Sequence, residues 1–213
     1  MSAPAKTTFS DAADTWNQRY ASEGYLFGKR PNAWLEEHSK VWSKNQRVLC
    51  VADGEGRNSV WLAQQGLDVD AFDIASVGVA KARKLAAAQG VSVNFSISDC
   101  DSFGWPNDHY DGVAAIFVQF ADPEMQARLF ANIKRCLKPG GVLVLQGYTP
   151  PQLEFGTGGP KELSHLYTDT LLRKVFGDFD IVHLRDYEAD LNEGERHRGM
   201  SALVGMVAWR PAA

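Results

Sequence analysis

One run restricts the possible folds more than any other: Arg47-Val48-Leu49-Cys50-Val51-Ala52-Asp53-Gly54-Glu55-Gly56-Arg57-Asn58, followed by Ser59-Val60-Trp61-Leu62-Ala63. Val48 to Val51 is a continuous apolar stretch of strand length, and Gly54-x-Gly56 is a tight turn. Apolar residues then recur at helical spacing until Gly66 stops them. Strand, glycine turn and helix together bring backbone close to a bound nucleoside at the edge of an α/β sheet. A second predicted strand, Asp68–Asp73, ends in an acid nineteen residues after Gly54. A carboxylate at that point can accept hydrogen bonds from both hydroxyls of a ribose. A dinucleotide fingerprint would place a third glycine at position 59, where this chain has Ser59, and the bulky Arg57 and Asn58 crowd the turn a pyrophosphate would need.

The remaining chain supports an α/β reading. A helix is expected from Ser10, as cap, to Tyr20, and another opening at Pro31; residues 1–8 read as a frayed end. Ser76 is expected to cap a helix running to Gln89, with Val79, Ala82, Leu85 and Ala86 inward and Lys81, Arg83 and Lys84 on a solvated face. Val91–Ile97 and Tyr110–Phe120 read as the third and fourth strands. Asp122-Pro123 starts a helix whose inner stripe is Met125, Leu129, Ile133 and Leu137, and Lys138-Pro139-Gly140-Gly141 stops it before a fifth strand, Val142–Tyr148. An irregular stretch to Lys161, a short helix with Leu171, Leu172, Val175 and Phe176 inward, and two closing strands, Asp180–Asp190 and Ser201–Trp209, complete the chain. At 213 residues and 45% hydrophobic content this is one domain with a substantial core.

Net charge −4 with no Lys/Arg run argues against a nucleic-acid partner. No apolar stretch is long enough to span a membrane, and no secretory leader is visible at Met1–Thr8. The three cysteines, Cys50, Cys100 and Cys136, fit reduced thiols of a cytoplasmic protein. His38, His109 and His183 show no ligand spacing, so no metal is expected.

The segment ending G-E-G-R-N resembles motif I of the class I S-adenosylmethionine (SAM) methyltransferases, and the L-K-P-G-G run between a helix and a strand is a second family hallmark. Cys50, Ala52 and Asp53 depart from the common form of the motif. W-x-x-R-Y, Y-x-F-G-x-x-P-N, D-I-A-S-V-G-V-A-K-A-R-K-L-A, G-G-P-K-E-L and N-E-G-x-x-H-R-G-x-S-A-L-V bring the chain closest to the small bacterial tellurite-resistance-like methyltransferases. The resemblance implies a Rossmann-like, doubly wound α/β sheet of seven strands, mostly parallel with an antiparallel C-terminal strand and helices on both faces. It implies a single methyltransferase domain over 1–213, divided into an N-terminal helical lid (1–45) and a SAM-binding core with a closing hairpin (46–213).

The resemblance also implies SAM as cofactor and S-adenosylhomocysteine as product. Asp73 would take the ribose, with Ile74 beside it; Gly54, Gly56 and the helix start at Asn58 would take the methionine portion, and Asp53 its ammonium. Asp99 and the Cys100 backbone would hold adenine, with Phe117 lining the pocket. The alternative for Asp99 is that it only caps a turn with Asp101. Trp16, Tyr20, Phe27 and Gly28 form a lid, or else a plain aromatic packing face; ring faces attract a sulfonium by roughly 0.5–2 kcal/mol per contact.

Acceptor candidates are Arg19, Gln119, Tyr148, His165, Arg185 and His197, with Arg198 a further donor for an oxyanion. The two loop histidines could be ordinary, and Arg185 could pair with Asp186 or Glu188. No general base is dictated by the sequence. The acceptor implied is a small tellurium, selenium or thiol nucleophile. The rival readings are a nicotinamide-dependent oxidoreductase and a non-catalytic SAM-binding protein.

Overall fold

The computed structural model describes residues 9–212; the frayed end expected over 1–8, and the side chain expected to cap at Ser10, lie outside what is described. Seven strands form one sheet: β1 (Arg47–Val51), β2 (Asp68–Asp73), β3 (Asn94–Ile97), β4 (Tyr110–Ile116), β5 (Leu137–Tyr148), β6 (Asp180–Asn192) and β7 (Arg198–Trp209). Their order is β3-β2-β1-β4-β5-β7-β6, with β7 antiparallel to both neighbours and the pairs from β3 to β5 parallel. The helices are α1 (Phe9–Tyr20), α2 (Ala33–His38), α3 (Arg57–Gln64), α4 (Ser76–Ala88), α5 (Pro123–Cys136), α6 (Gln152–Phe155) and α7 (Asp169–Val175).

The central strands are apolar throughout because both their faces are covered. Leu49, Val51, Val113, Ala115, Leu143 and Leu145 face α5 and α7, against Leu129, Phe130, Ile133, Leu172 and Phe176. The alternate positions Val48, Cys50, Ala114 and Val144 face α2 and α3, against Trp34, Leu35 and Leu62. Trp34 lies so flat on this face that a Cβ on Gly205 would collide with its ring. That packing sets the buried Trp34–Leu35 side of α2 against β5 and Gly205 of β7, while α1 lies against α4.

Several element ends differ from expectation. Asn32, not Pro31, starts α2, its carboxamide accepting from the Leu35 N–H at 3.0 Å. Ala75 precedes α4 without a side-chain cap; Ser76 is the helix's first residue, and its hydroxyl turns to Asn17 instead. β3 starts at Asn94, and β4 ends at Ile116 because Phe117 takes a left-handed backbone (φ 55°). Leu137 opens β5 by pairing with Tyr110 across a bulge, so the L-K-P-G-G run belongs to the strand. Cys50, Cys100 and Cys136 are buried free thiols. Among the described residues no helix is long and apolar enough to cross a membrane, and no three His, Cys, Asp or Glu side chains are grouped to hold a metal ion.

Candidate functional site

The strand order reverses between β1 and β4, where open α/β sheets leave a crevice at their carboxyl edge. The chain leaves β1 through three left-handed residues, Ala52 (φ 49°), Gly54 (φ 63°) and Gly56 (φ 88°). A Cβ at Gly54 would stand 2.6 Å from the Tyr20 hydroxyl, and one at Gly56 would stand 2.7 Å from Ala82 Cβ. Glycine is therefore required at both places by space as well as by backbone conformation.

Asp73 fastens this turn. One carboxylate oxygen accepts from the Gly54 N–H and the other from the Ala75 N–H, both at 2.8 Å. An ionised carboxylate has about four acceptor positions, so each oxygen keeps one for a further donor. Asp53 is held by Ser59, whose hydroxyl and N–H both donate to it. The residue that replaces the third glycine of a dinucleotide fingerprint thus supplies a hydroxyl to an acid in the turn. Burial pushes Asp53 up to about 7, against the lowering effect of the Ser59 bonds. Burial likewise pushes Asp73 up to about 6, against the bonds from Ala75 and Gly54.

Tyr20 lies over the turn and is nearly fully buried, in a cluster with Leu26 and Ala75 against which Trp16, Phe27 and Ile74 pack. The Trp16 and Tyr20 rings stack at 5.4 Å, and Phe27 meets Tyr20 edge-on at 6.3 Å. Gly28 backs onto Gly194 in the loop between β6 and β7. Asn58 accepts from the Asn32 N–H at 2.9 Å.

At the end of β3, one oxygen of Asp99 accepts from the Asp101 and Ser102 N–H groups and the other from the Ser102 hydroxyl. Asp99 caps this turn and retains a single acceptor position on its second oxygen. The Cys100 carbonyl accepts from the Trp105 indole at 2.8 Å.

A second group of side chains lies where β4 and β5 end. His197 has Phe117 at 4.3 Å, Phe27 at 4.5 Å and Tyr148 at 5.9 Å between ring centroids. The Tyr148 hydroxyl and His197 Nδ1 are buried with no hydrogen-bond partner in the protein, although Glu193 stands 4.0 Å from the imidazole. Burial, then the Arg57 charge, lowers His197 to about 3, so the ring is neutral at physiological pH. Burial raises the Tyr148 hydroxyl.

The other acceptor candidates are spread more widely. Gln119 uses its amide to bridge the Tyr148 backbone N–H and carbonyl and the His165 carbonyl, while the His165 ring meets the Gln119 carbonyl at 3.2 Å. Arg19 lies over the Trp16 ring, and Arg198 is exposed at the start of β7. Arg185 sits on exposed β6 over Trp34 and Tyr187, with Glu37 at 3.6 Å as its ion partner in place of Asp186 or Glu188.

Sequence reasoning missed the polar residues that tie distant segments to this edge. Glu55 is buried and accepts from the Leu26 N–H at 2.7 Å and from Lys81 at 2.8 Å, so Lys81 is not simply solvated. Arg57 pairs with Glu193 at 2.8 Å, and Asn32 donates to both Glu193 and Gln146. Their partners lie from 26 to 161 positions away, where no local pattern points.

The fold, with the glycine turn fastened by Asp73 at the reversal of strand order, is like that of solved SAM-dependent methyltransferases. Residues 48–141 match the family described as a methyltransferase domain. A demethylmenaquinone methyltransferase of Thermus thermophilus is 33% identical over 110 residues, 50% of this chain and 49% of the relative. One of Renibacterium salmoninarum is 32% identical over 130 residues, 61% of this chain and 50% of the relative. The chain therefore spans about half the length of these curated relatives. Among solved structures, TehB from Haemophilus influenzae superposes with a TM-score of 0.69 at 18% identity, over 93% of this chain and 66% of that one. A structure concerned with conversion of a disulfide bond into a thioacetal group in echinomycin biosynthesis gives 0.72 at 18% identity, over 94% and 93%. At these identities the likeness speaks for the fold.

Proposed function

We propose that this protein transfers a methyl group from SAM to a small-molecule nucleophile of the thiol, selenium or tellurium type. The observation that carries the cofactor side is Asp73: each oxygen is anchored by one backbone N–H and keeps one acceptor position for a ribose hydroxyl. The turn would suit an adenosyl amino acid, since Asp53 lies beside Gly54 and Gly56 for an ammonium. SAM would supply an electrophilic methyl on a sulfonium with a good leaving group. Phe27, Tyr20 and Trp16 exclude water and offer ring faces to a cation. Holding the reactants aligned can contribute several kcal/mol, up to about 7–11 in the best cases.

Two features support a soft, proton-bearing acceptor. Phe117, Tyr148 and His197 form a cluster of rings, and its two unpartnered polar atoms belong to neutral groups. The neighbouring cation, Arg57, is neutralised by Glu193. A thiol or selenol entering here can hydrogen-bond to Tyr148 and give up its proton to solvent before its lone pair attacks the methyl carbon and the bond to the sulfonium breaks; burial leaves the His197 imidazole too weak a base to take that proton. A free oxyanion would find no unpaired cation among these side chains. The cytoplasm, where thiols stay reduced, is the compartment this chemistry needs.

Calorimetry with SAM and S-adenosylhomocysteine, with NAD as control, tests the cofactor. Transfer of labelled methyl to a panel of a small thiol, selenite, tellurite and a demethylated quinone tests the acceptor. Binding of SAM without turnover on any member would favour a non-catalytic SAM-binding protein. Binding of NAD in its place would favour an oxidoreductase.

A further inference from the structure

We propose that Glu193 is a positioning residue: it latches the lid segment 26–33 to the loop between β6 and β7, so that the cofactor exchanges only when this latch is released. The location of the cofactor rests on the reading above, but the latch itself does not.

Glu193 lies in the β6–β7 loop with its side chain 10% exposed, and its partner Arg57, at 2.8 Å, is 7% exposed. The same carboxylate accepts from Asn32 Nδ2 at 3.1 and 3.2 Å and from the Ala33 N–H at 3.1 Å. Three donor groups from two remote segments therefore fill a buried acid that would be costly to leave bare. Asn32 extends the joint: it donates to Gln146 on β5 at 2.6 Å, and its backbone N–H donates to Asn58 at the start of α3.

Backbone interlock adds a second set of contacts. The Glu195 N–H donates to the Leu26 carbonyl at 2.9 Å. Gly194 is left-handed (φ 84°), and a Cβ there would overlap the Phe27 backbone. The Phe27 and His197 rings meet across the seam at 4.5 Å. Because Arg57 opens α3 immediately after the glycine turn, the latch is anchored on the cofactor cradle itself. The Arg57–Glu193 pair holds the loop on α3, and the Asn32 and Ala33 bonds to the same carboxylate hold segment 26–33 on the loop.

Hydrogen exchange on the ligand-free protein gives the test, with Glu193→Gln and the charge-balanced double variant Arg57→Met/Glu193→Gln beside wild type. The double variant leaves no unpaired buried charge and guards against a single variant that fails to fold. The expected result is at least tenfold faster exchange in 26–33 and 193–195 together, with β1 and β4 unchanged. Stopped-flow release of S-adenosylhomocysteine should accelerate by a similar factor. Unchanged exchange in 26–33, or faster exchange spread uniformly through the core strands, would overturn the proposal. Should S-adenosylhomocysteine fail to bind wild type, the cofactor reading falls while the exchange comparison still decides the latch.

Discussion

The carboxylate of Asp73 accepts the Gly54 N–H at 2.8 Å, so the acid ending β2 holds the glycine turn that follows β1. Removing it loses the turn's anchor and, on the proposed reading, the acceptor for the ribose. Asp73→Ala should weaken SAM binding at least tenfold, or about 1.4 kcal/mol, in calorimetry. Unchanged affinity would remove Asp73 from the site.

The two raised carboxyls give a pH dependence with a defined sign. Asp53, near 7, and Asp73, near 6, hold their protons more tightly folded than unfolded. Their contribution to ligand-free stability is therefore greatest at low pH and is lost as pH rises through 6 and 7. A cationic ligand favours the ionised forms, so SAM affinity should rise roughly tenfold or more from pH 5.5 to 7.5, with proton release on binding. Calorimetry in buffers of different ionisation enthalpy measures that release; a flat profile would contradict it.

Tyr148 carries a buried hydroxyl without a partner, which is an opportunity for stabilisation. Tyr148→Phe removes that unsatisfied group and should leave melting unchanged or raise stability by up to about 1 kcal/mol. Methyl transfer should nonetheless fall if, as proposed, the hydroxyl is one of the two neutral polar groups that meet the acceptor. A variant that loses stability and keeps full turnover would place the hydroxyl outside the acceptor's reach.

Gln119 predicts the opposite pattern. Its amide satisfies the Tyr148 backbone and the His165 carbonyl. Gln119→Leu should cost about 1–3 kcal/mol of stability, read by denaturant unfolding, by leaving buried backbone groups unpaired.

How much of this was legible beforehand depended on the range of the signal. β1, β2 and the turn between β1 and α3 were readable because apolar runs and glycines report local backbone, and the strand order agrees with the family resemblance. Ser59 was readable as a missing glycine but not as the donor to Asp53, since that role exists only once the turn has formed. Glu55, Asn32 and Glu193 look like ordinary surface residues in the sequence. Their burial follows from long-range contacts among residues 26–33, the glycine turn and the β6–β7 loop, which no periodicity encodes. Asp99 was ambiguous for the opposite reason: capping a turn and holding a base use the same acceptor atoms.

The insertion of β7 between β5 and β6 also bears on how the molecule is made. Until residue 209 has left the ribosome, β5 presents an unpaired edge and β6 has no neighbour to join. A nascent chain at that stage exposes a ready template for strand-to-strand aggregation. The sheet therefore closes abruptly once β7 has emerged, when one strand joins β5 to β6 and brings its preceding loop against residues 26–33.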